Sequence, residues 1–334
     1  MIEKNKESTS VTLSDVAREA GVSLATASRV VNGSTRKVAE EYRVRVLAAA
    51  ESLGYTANMA AQATARGTSS TVVLLVADIA DPYFGLIASG VARGAEEAGL
   101  VMTIAVTGRQ AEREARMARS LRGQRPRSVI VASSRVADEG AELATELSAL
   151  ENMGSRVVLF GGDSEGSIVI DNFGGARDLG EAMYRIGYRR AIVLAAAAGV
   201  RTSDDRLAGF TAGFSGEITR VYRGAFTRES GAALMTQAIA NGVTEETLIF
   251  GVSDVVAIGA MTAARDAGLA VGSQVAFCGF DDVPVAHDVS PGLTTVRVSL
   301  EEVGYQAFQM TVSDDLPRLP ALQVVLRAST PGVQ

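Results

Sequence analysis

Residues 13–33 read LSDVAREAGVSLATASRVVNG, and this stretch decides the N-terminal fold. Thr12 and Asp15 stand at capping-box spacing ahead of an apolar-periodic run, which predicts a helix over 13–20. Gly21 ends it, in a turn that needs positive φ. Ser23 is placed to cap a second helix over 24–31, and Asn32-Gly33 is its C-terminal stop. Ala17 is small enough to let two helices cross closely. Val16, Ala20, Val22, Ala27 and Val30 recur at the spacing that turns them inward. A third helix is expected over 39–53, ending at Gly54. The pattern is that of a DNA-reading helix-turn-helix; a plain helical hairpin built from the same small residues is the alternative.

From Thr71 the texture changes to apolar runs alternating with amphipathic segments. Strands are expected at 72–77, 101–106, 128–132 and 156–160, then in a second series at 168–170, 191–195, 220–222, 248–250 and 275–278. Helix-length segments follow them, for example at 85–98, 174–186 and 254–267. Such alternation implies parallel sheets covered by helices on both faces. Nine strands divide better into two doubly wound lobes than into one sheet. Late strands at 294–298 and 322–326 return to the lobes. The expected architecture is α/β: an all-α helix-turn-helix headpiece (12–56) and a two-lobed, doubly wound core (71–332). A disordered tail (1–11) precedes them. One lobe takes in about 71–161 and 293–319, the other about 162–292 and 320–332. The segment between headpiece and core, ANMAAQATARGTSS at 57–70, has little to bury and reads as a linker or a marginal helix.

The 334 residues include one His (His287), one Cys (Cys278), three Lys (Lys4, Lys6, Lys37) and no Trp. Those counts leave no Cys/His metal site, no disulfide, no P-loop lysine and no Schiff-base lysine in the body of the chain. Residues 251–255, GVSDV, lack the second glycine of a nucleophile elbow, and DIADPYFG at 78–85 holds no GxGxxG. No acid, base and metal-ligand constellation stands out, so binding rather than catalysis is expected, with no cofactor. The ten-residue apolar run at 191–200 is too short to span a bilayer. The polar start MIEKNKESTS lacks the apolar core of a signal peptide, so a cytoplasmic protein is expected. The net charge of −6 argues against a general nucleic-acid binder, but it is unevenly spread. Residues 1–70 carry nine Lys and Arg against seven Asp and Glu, and the rest carry 23 against 31.

LSDVAREAGVSLATASRVVNG, followed by ESLGYTAN (51–58) and ADIADPYF (77–84), resembles the LacI/GalR family of bacterial transcription regulators. The resemblance runs from about residue 12 to 330. It implies a DNA-binding headpiece, a hinge helix and an effector-binding core like a periplasmic sugar-binding protein. It further implies a homodimer on a pseudo-palindromic operator, with repression expected as the outcome. The final TPGVQ, without leucine heptads, favours a dimer over a tail-linked tetramer.

In the second helix, Ser23, Thr26 and Ser28 are short hydroxyls suited to phosphate oxygens. Arg29 can make a bidentate contact to guanine; a solvated surface arginine is the alternative. Leu24 and Ala25 correspond to the family's variable base-reading pair and, being apolar, suit thymine methyls; simple packing is their alternative. Asn32 completes this DNA-facing set. By resemblance, 57–67 forms a hinge helix capped by Asn58, and Thr64 occupies the place of the family's minor-groove leucine. Ala60 replaces a larger packing residue. Thr64 buries less apolar surface between bases, so a shallower kink is expected, or a wedge supplied by Met59.

Ligands of open α/β sheets sit beyond the carboxyl ends of the strands. Asp81, Tyr83 and Phe84 lie there after the first strand, and Thr202 and Arg206 after 191–195. Phe226, Ser253 and Asp281 follow 220–222, 248–250 and 275–278. Aromatic rings can sandwich a sugar ring while carboxylates and Arg hold its hydroxyl rim, which suits a neutral polyol such as a sugar, cyclitol or nucleoside. By resemblance, all of these but Thr202 match the contacts of sugar-binding members. Two departures stand out. Ser253 replaces the commoner Asn, and Gly161-Gly162, with Asp163 nearby, replaces a charged hydroxyl-binding residue. Phe84 and Phe226 could instead be core, Asp281 a turn cap, and Arg206 a partner of Asp204 or Asp205. A sugar-type sensor without operator binding is the alternative function.

Overall fold

The structure, a computed structural model, describes residues 11–32, 38–56, 69–132, 140–161, 166–243 and 245–333. Asn58, Met59, Ala60, Thr64, Gly162, Asp163 and the tail at 1–10 lie outside the described residues. The chain divides between Ser69 and Ser70 into two compact units.

Among the described residues the first unit holds three helices, α1 (Leu13–Glu19), α2 (Leu24–Val31) and α3 (Glu40–Ser52). Thr12 and Asp15 form a full capping box, each side chain accepting the other's backbone N–H. Ser23 accepts the amide of Thr26 at the start of α2. Val16, Ala17, Ala20, Ala27, Val46 and Ala49 make the buried centre, with Val22 and Val30 packed against it. Gly21 has φ +62°, and a Cβ there would strike the guanidinium of Arg45. That guanidinium donates to the carbonyls of Ala20 and Gly21, so a cation from α3 closes the negative end of α1.

The second unit contains two parallel sheets. The first has strands β1 (Thr71–Val76), β2 (Val101–Val106), β3 (Ser128–Ala132), β4 (Arg156–Phe160) and β5 (Ser167–Ile168), in the order β2-β1-β3-β4-β5. Five of the six residues of β1 are buried, as a central strand covered on both faces requires. Helices α4 (Pro82–Glu97), α5 (Ala111–Leu121) and α6 (Ala141–Asn152) follow β1, β2 and β3. The connection to the second sheet is α7 (Asn172–Arg185). That sheet comprises β6 (Arg190–Ala196), β7 (Glu217–Gly224), β8 (Thr247–Gly251) and β9 (Val275–Cys278), ordered β7-β6-β8-β9. Its helices are α8 (Arg201–Gly213), α9 (Arg228–Ala240) and α10 (Asp254–Asp266), followed by the short α11 (Pro284–Asp288). The chain closes with β10 (Thr295–Arg297), α12 (Leu300–Val312) and β11 (Gln323–Val325).

Two expectations are corrected. The strand expected at 168–170 pairs with β4 and completes the first sheet, so the strands divide five and four and the second sheet opens at β6. The late strands return to the core as expected, the amides of Gly279 and Asp281 donating to the carbonyls of Thr294 and Val296, and they also pair antiparallel with each other as β10 and β11. Asp282 bonds Arg297 at 2.7 Å and Arg327 at 2.6 Å, clamping the two returning segments together. The helix expected from 85 starts at Pro82, because Asp81 caps it and proline is preorganised for the first helical position.

Close helix approach positions the lobes' layers. A Cβ on Gly90 of α4 would overlap the Glu301 carbonyl of α12, and one on Gly304 of α12 would overlap the Ile87 carbonyl of α4. The two glycines let the backbones touch, which ties the returning α12 to the first sheet.

A candidate ligand cleft and a candidate DNA-facing helix

Both sheets place β1 and β6 inside their strand order with successors on either side, which opens a crevice at the carboxyl ends. Asp81, Tyr83 and Phe84 reach it from the first sheet, and Thr202, Arg206, Phe226, Ser253 and Asp281 from the second. All eight residues singled out from sequence line this one cleft, and Arg109, which was not singled out, lines it with them. Arg109 sits in the turn after β2 with φ +59°.

Arg206, in the second turn of α8, is the cleft's fixed cation. Its Nη2 donates to Oδ1 of Asp281 at 2.7 Å and its Nη1 to Oδ2 at 3.2 Å. Nη1 also donates to the Val252 carbonyl and Nε to Oδ1 of Asn172, both at 2.8 Å. Its guanidinium lies 3.9 Å from the centroid of the Phe280 ring. Asp204 instead pairs with Arg223 at 2.9 Å and Asp205 with Arg201 at 3.8 Å, so neither sequence neighbour is the partner of Arg206. Asp281 is held at φ +114°, a strained conformation for a residue with a Cβ. Burial pushes its pKa up to about 6, against the opposing pull of Arg206. Asn172 follows β5, and its role as an orienting acceptor was missed because that strand was assigned to the other sheet.

Ser253 stands at the N-cap of α10, yet its hydroxyl makes no cap hydrogen bond. It is buried and has no hydrogen-bond partner among the described residues. A buried hydroxyl in that condition is ready for a ligand polar atom. Asp81 does cap its helix, accepting the Tyr83 amide at 3.0 Å, and burial raises its pKa. Tyr83 and Phe84 meet edge to face at 5.0 Å. Phe84 and Phe226 are both buried, so each lines the cleft while belonging to the core. Asp254 is pinned beneath the cleft, accepting from Thr295 Oγ1 and the Val283 amide. Among the described residues no group of three or more His, Cys, Asp or Glu could hold a metal ion. No helix among them is long and apolar enough to cross a membrane.

On α2, Ala27 is buried while Ser23, Leu24, Ala25 and Arg29 are exposed, with Leu24 51% accessible. Thr26, Ser28 and Asn32 are half-buried beside them. Ser23 and Thr26 share a hydroxyl–hydroxyl bond of 2.9 Å, and Asn32 Nδ2 donates to Ser28 Oγ at 2.9 Å. These contacts fix the orientation of the polar rim around an exposed apolar pair and an exposed arginine. Asn58 and Thr64 complete the DNA-facing set proposed from sequence and lie outside the described residues.

The chain is similar to known proteins over most of its length. Residues 12–58 match the lacI family of bacterial regulatory proteins, and residues 181–330 match the periplasmic binding protein-like domain. The transcriptional regulator GalR of Escherichia coli K12 is 31% identical over 307 residues, covering 90% of this chain and 88% of its own. A lac repressor dimer bound to operator and the anti-inducer ONPF superposes with a TM-score of 0.81 at 24% identity, over 96% of this chain and 99% of the other. A complex of the regulator CelR with cellobiose gives 0.66 at 28% identity, over 96% and 99%.

Proposed function

Since the chain belongs to the lacI family of bacterial regulatory proteins, we propose that it is a cytoplasmic transcriptional regulator. It reads a pseudo-palindromic operator as a homodimer, and a neutral polyol bound in the cleft sets its operator affinity. The ligand is bound and not converted. Its rim hydroxyls meet Asp281, oriented by Arg206, together with the Ser253 hydroxyl, while its ring lies against Phe84 and Phe226. The single observation that carries the reading is the buried Arg206–Asp281 pair beside a Ser253 hydroxyl with no partner among the described residues, at the joint mouth of two sheets. A charge pair prepared in this way offers acceptors and donors at no cost in reorganisation when the ligand arrives.

The two functions are linked because the cleft walls come from different sheets. A ligand that favours one separation of the lobes shifts the dimer toward whichever DNA-binding state shares that separation. On DNA, α2 presents Arg29 for a base edge, with Leu24 and Ala25 for thymine methyls and Ser23, Thr26, Ser28 and Asn32 for the backbone. Selection of bound sequences from a random DNA pool, repeated with a panel of sugars, cyclitols and nucleosides, tests the whole reading. A palindrome should be enriched, and one panel member should change its recovery. A protein that enriches no palindrome is a sensor without operator binding.

A further inference from the structure

We propose that Arg109 is a built-in occupant of the cleft. Its guanidinium fills the place between Phe84 and Phe226 that the ring of a bound polyol takes, so the effector binds by displacing it. The inference rests on the proposed function and names the competitor that the effector meets.

The geometry sets Arg109 apart from Arg206. Its guanidinium lies 5.6 Å from the centroid of Phe84 and 5.2 Å from that of Phe226. Phe84 stands on α4 of the first lobe and Phe226 follows β7 of the second, so one side chain touches aromatic faces from both lobes. Its only ion pair among the described residues is to Asp81, at 3.6 Å, and its guanidinium donates no hydrogen bond to any of them. Asp81 is meanwhile engaged as the cap of α4. Arg206, by contrast, spends four donor contacts on Asn172, Val252 and Asp281 and is 2% accessible. One arginine is locked and the other is held by two ring faces and a loose carboxylate. Burial lowers the pKa of Arg109, which means its surroundings favour its charge less than water does. Its side chain is 25% accessible, against 2% for Arg206.

An aromatic face satisfied by a planar cation cannot also stack on a sugar ring, so polyol and guanidinium compete for one place. The alternative role for an arginine here is to hold an anionic ligand, such as a uronate or a sugar phosphate. That role predicts the opposite sign when the side chain is removed. The charge count favours displacement: Arg206 is matched by Asp281 and Arg109 by Asp81, leaving no surplus positive charge for an anion.

The test uses the full-length protein and Arg109→Asn, because Asn tolerates the positive φ at this turn. Arg109→Lys is a second variant that keeps the charge but loses the planar group. Ethylguanidinium chloride, against matched sodium chloride, is the first calorimetric probe. The Asn variant should bind it saturably, the wild type should not, and adding Phe226→Ala should abolish the binding. The second probe is a panel of galactose, ribose, myo-inositol and adenosine with the matching uronates and phosphates. A neutral member that binds wild type should bind the Asn variant about tenfold tighter, the scale of a desolvated cation–π contact removed from competition, and the Lys variant to an intermediate degree. Weaker polyol binding in the Asn variant, a binder that is anionic, or ethylguanidinium taken by both proteins or by neither would overturn the proposal. Ethylguanidinium uptake with no polyol bound by either protein would instead overturn the reading of the cleft, and the proposal with it.

Discussion

Arg206 and Asp281, 75 residues apart in the chain, meet as a two-point ion pair with side chains 2% and 5% accessible. A pair this buried is costly to break from one side, because the survivor keeps its charge without a partner. Asp281→Ala should therefore lose the ligand response and also destabilise the core by about 3–5 kcal/mol. Thermal unfolding with and without ligand, beside operator binding well below the melting transition, separates the two effects. Wild-type stability in the variant would mean that the pair is not buried as described.

The same pair gives ligand binding a pH dependence. Burial raises Asp281 to about 6, with Arg206 opposing the shift and the nearby Asp81 adding to it. As pH falls through that value Asp281 takes a proton, the ion pair weakens, and ligand affinity drops. The sign for folding is the reverse. A carboxyl with a raised folded-state pKa binds its proton better folded than unfolded, so between its ordinary value and about 6 protonation of Asp281 favours the fold. Calorimetric titrations from about pH 5 to about pH 8, with melting curves alongside, should show affinity lost on the acid side without unfolding driven by this residue. A flat affinity profile would contradict this.

Ser253→Ala removes a hydroxyl that has no partner among the described residues. The ligand-free protein should keep its stability or gain slightly, since an unsatisfied buried polar atom is lost. Ligand affinity should fall by about 1 kcal/mol, the scale of one hydrogen bond. A loss of stability with unchanged affinity would place the hydroxyl in the core network instead.

Arg29→Ala should cost about 1–3 kcal/mol of discrimination between operator and random DNA while the salt-dependent background stays nearly intact. Binding curves on both DNAs over a salt series decide it. Equal losses on the two would make Arg29 a phosphate contact.

Gly90→Ala places a methyl against the carbonyl of Glu301, so α4 and α12 must separate. A destabilisation of about 1–3 kcal/mol in denaturant melts is expected. Stability equal to wild type would mean that α12 can move away freely.

Much of this was legible beforehand because the rules involved are local or topological. Thr12, Asp15, Gly21 and Ser23 are conformational signals that act within four residues, and each does in the structure what its chemistry implies. Residues after parallel strands must gather at one edge, which is why eight residues scattered over 201 positions line one cleft. Arg109 obeys the same topology but carries no pattern of its own. A lone arginine in a turn does not reveal how far its side chain reaches. β5 was misplaced because two residues show no period, and only its hydrogen bonds to β4 say which sheet they extend.

Backbone preference and the alternation of apolar runs are properties of neighbouring residues, so element types, the helix-turn-helix and the two-sheet core could be read from the chain alone. Partner choice is a property of packing. Asp204 and Asp205 are closer to Arg206 in sequence, but the turn of α8 aims its guanidinium at the end of β9, where Asp281 waits. The idle hydroxyl of Ser253 and the guanidinium of Arg109 between two rings arise in the same way. Each depends on which groups folding leaves within about 3–6 Å, a distance over which sequence separation carries no information.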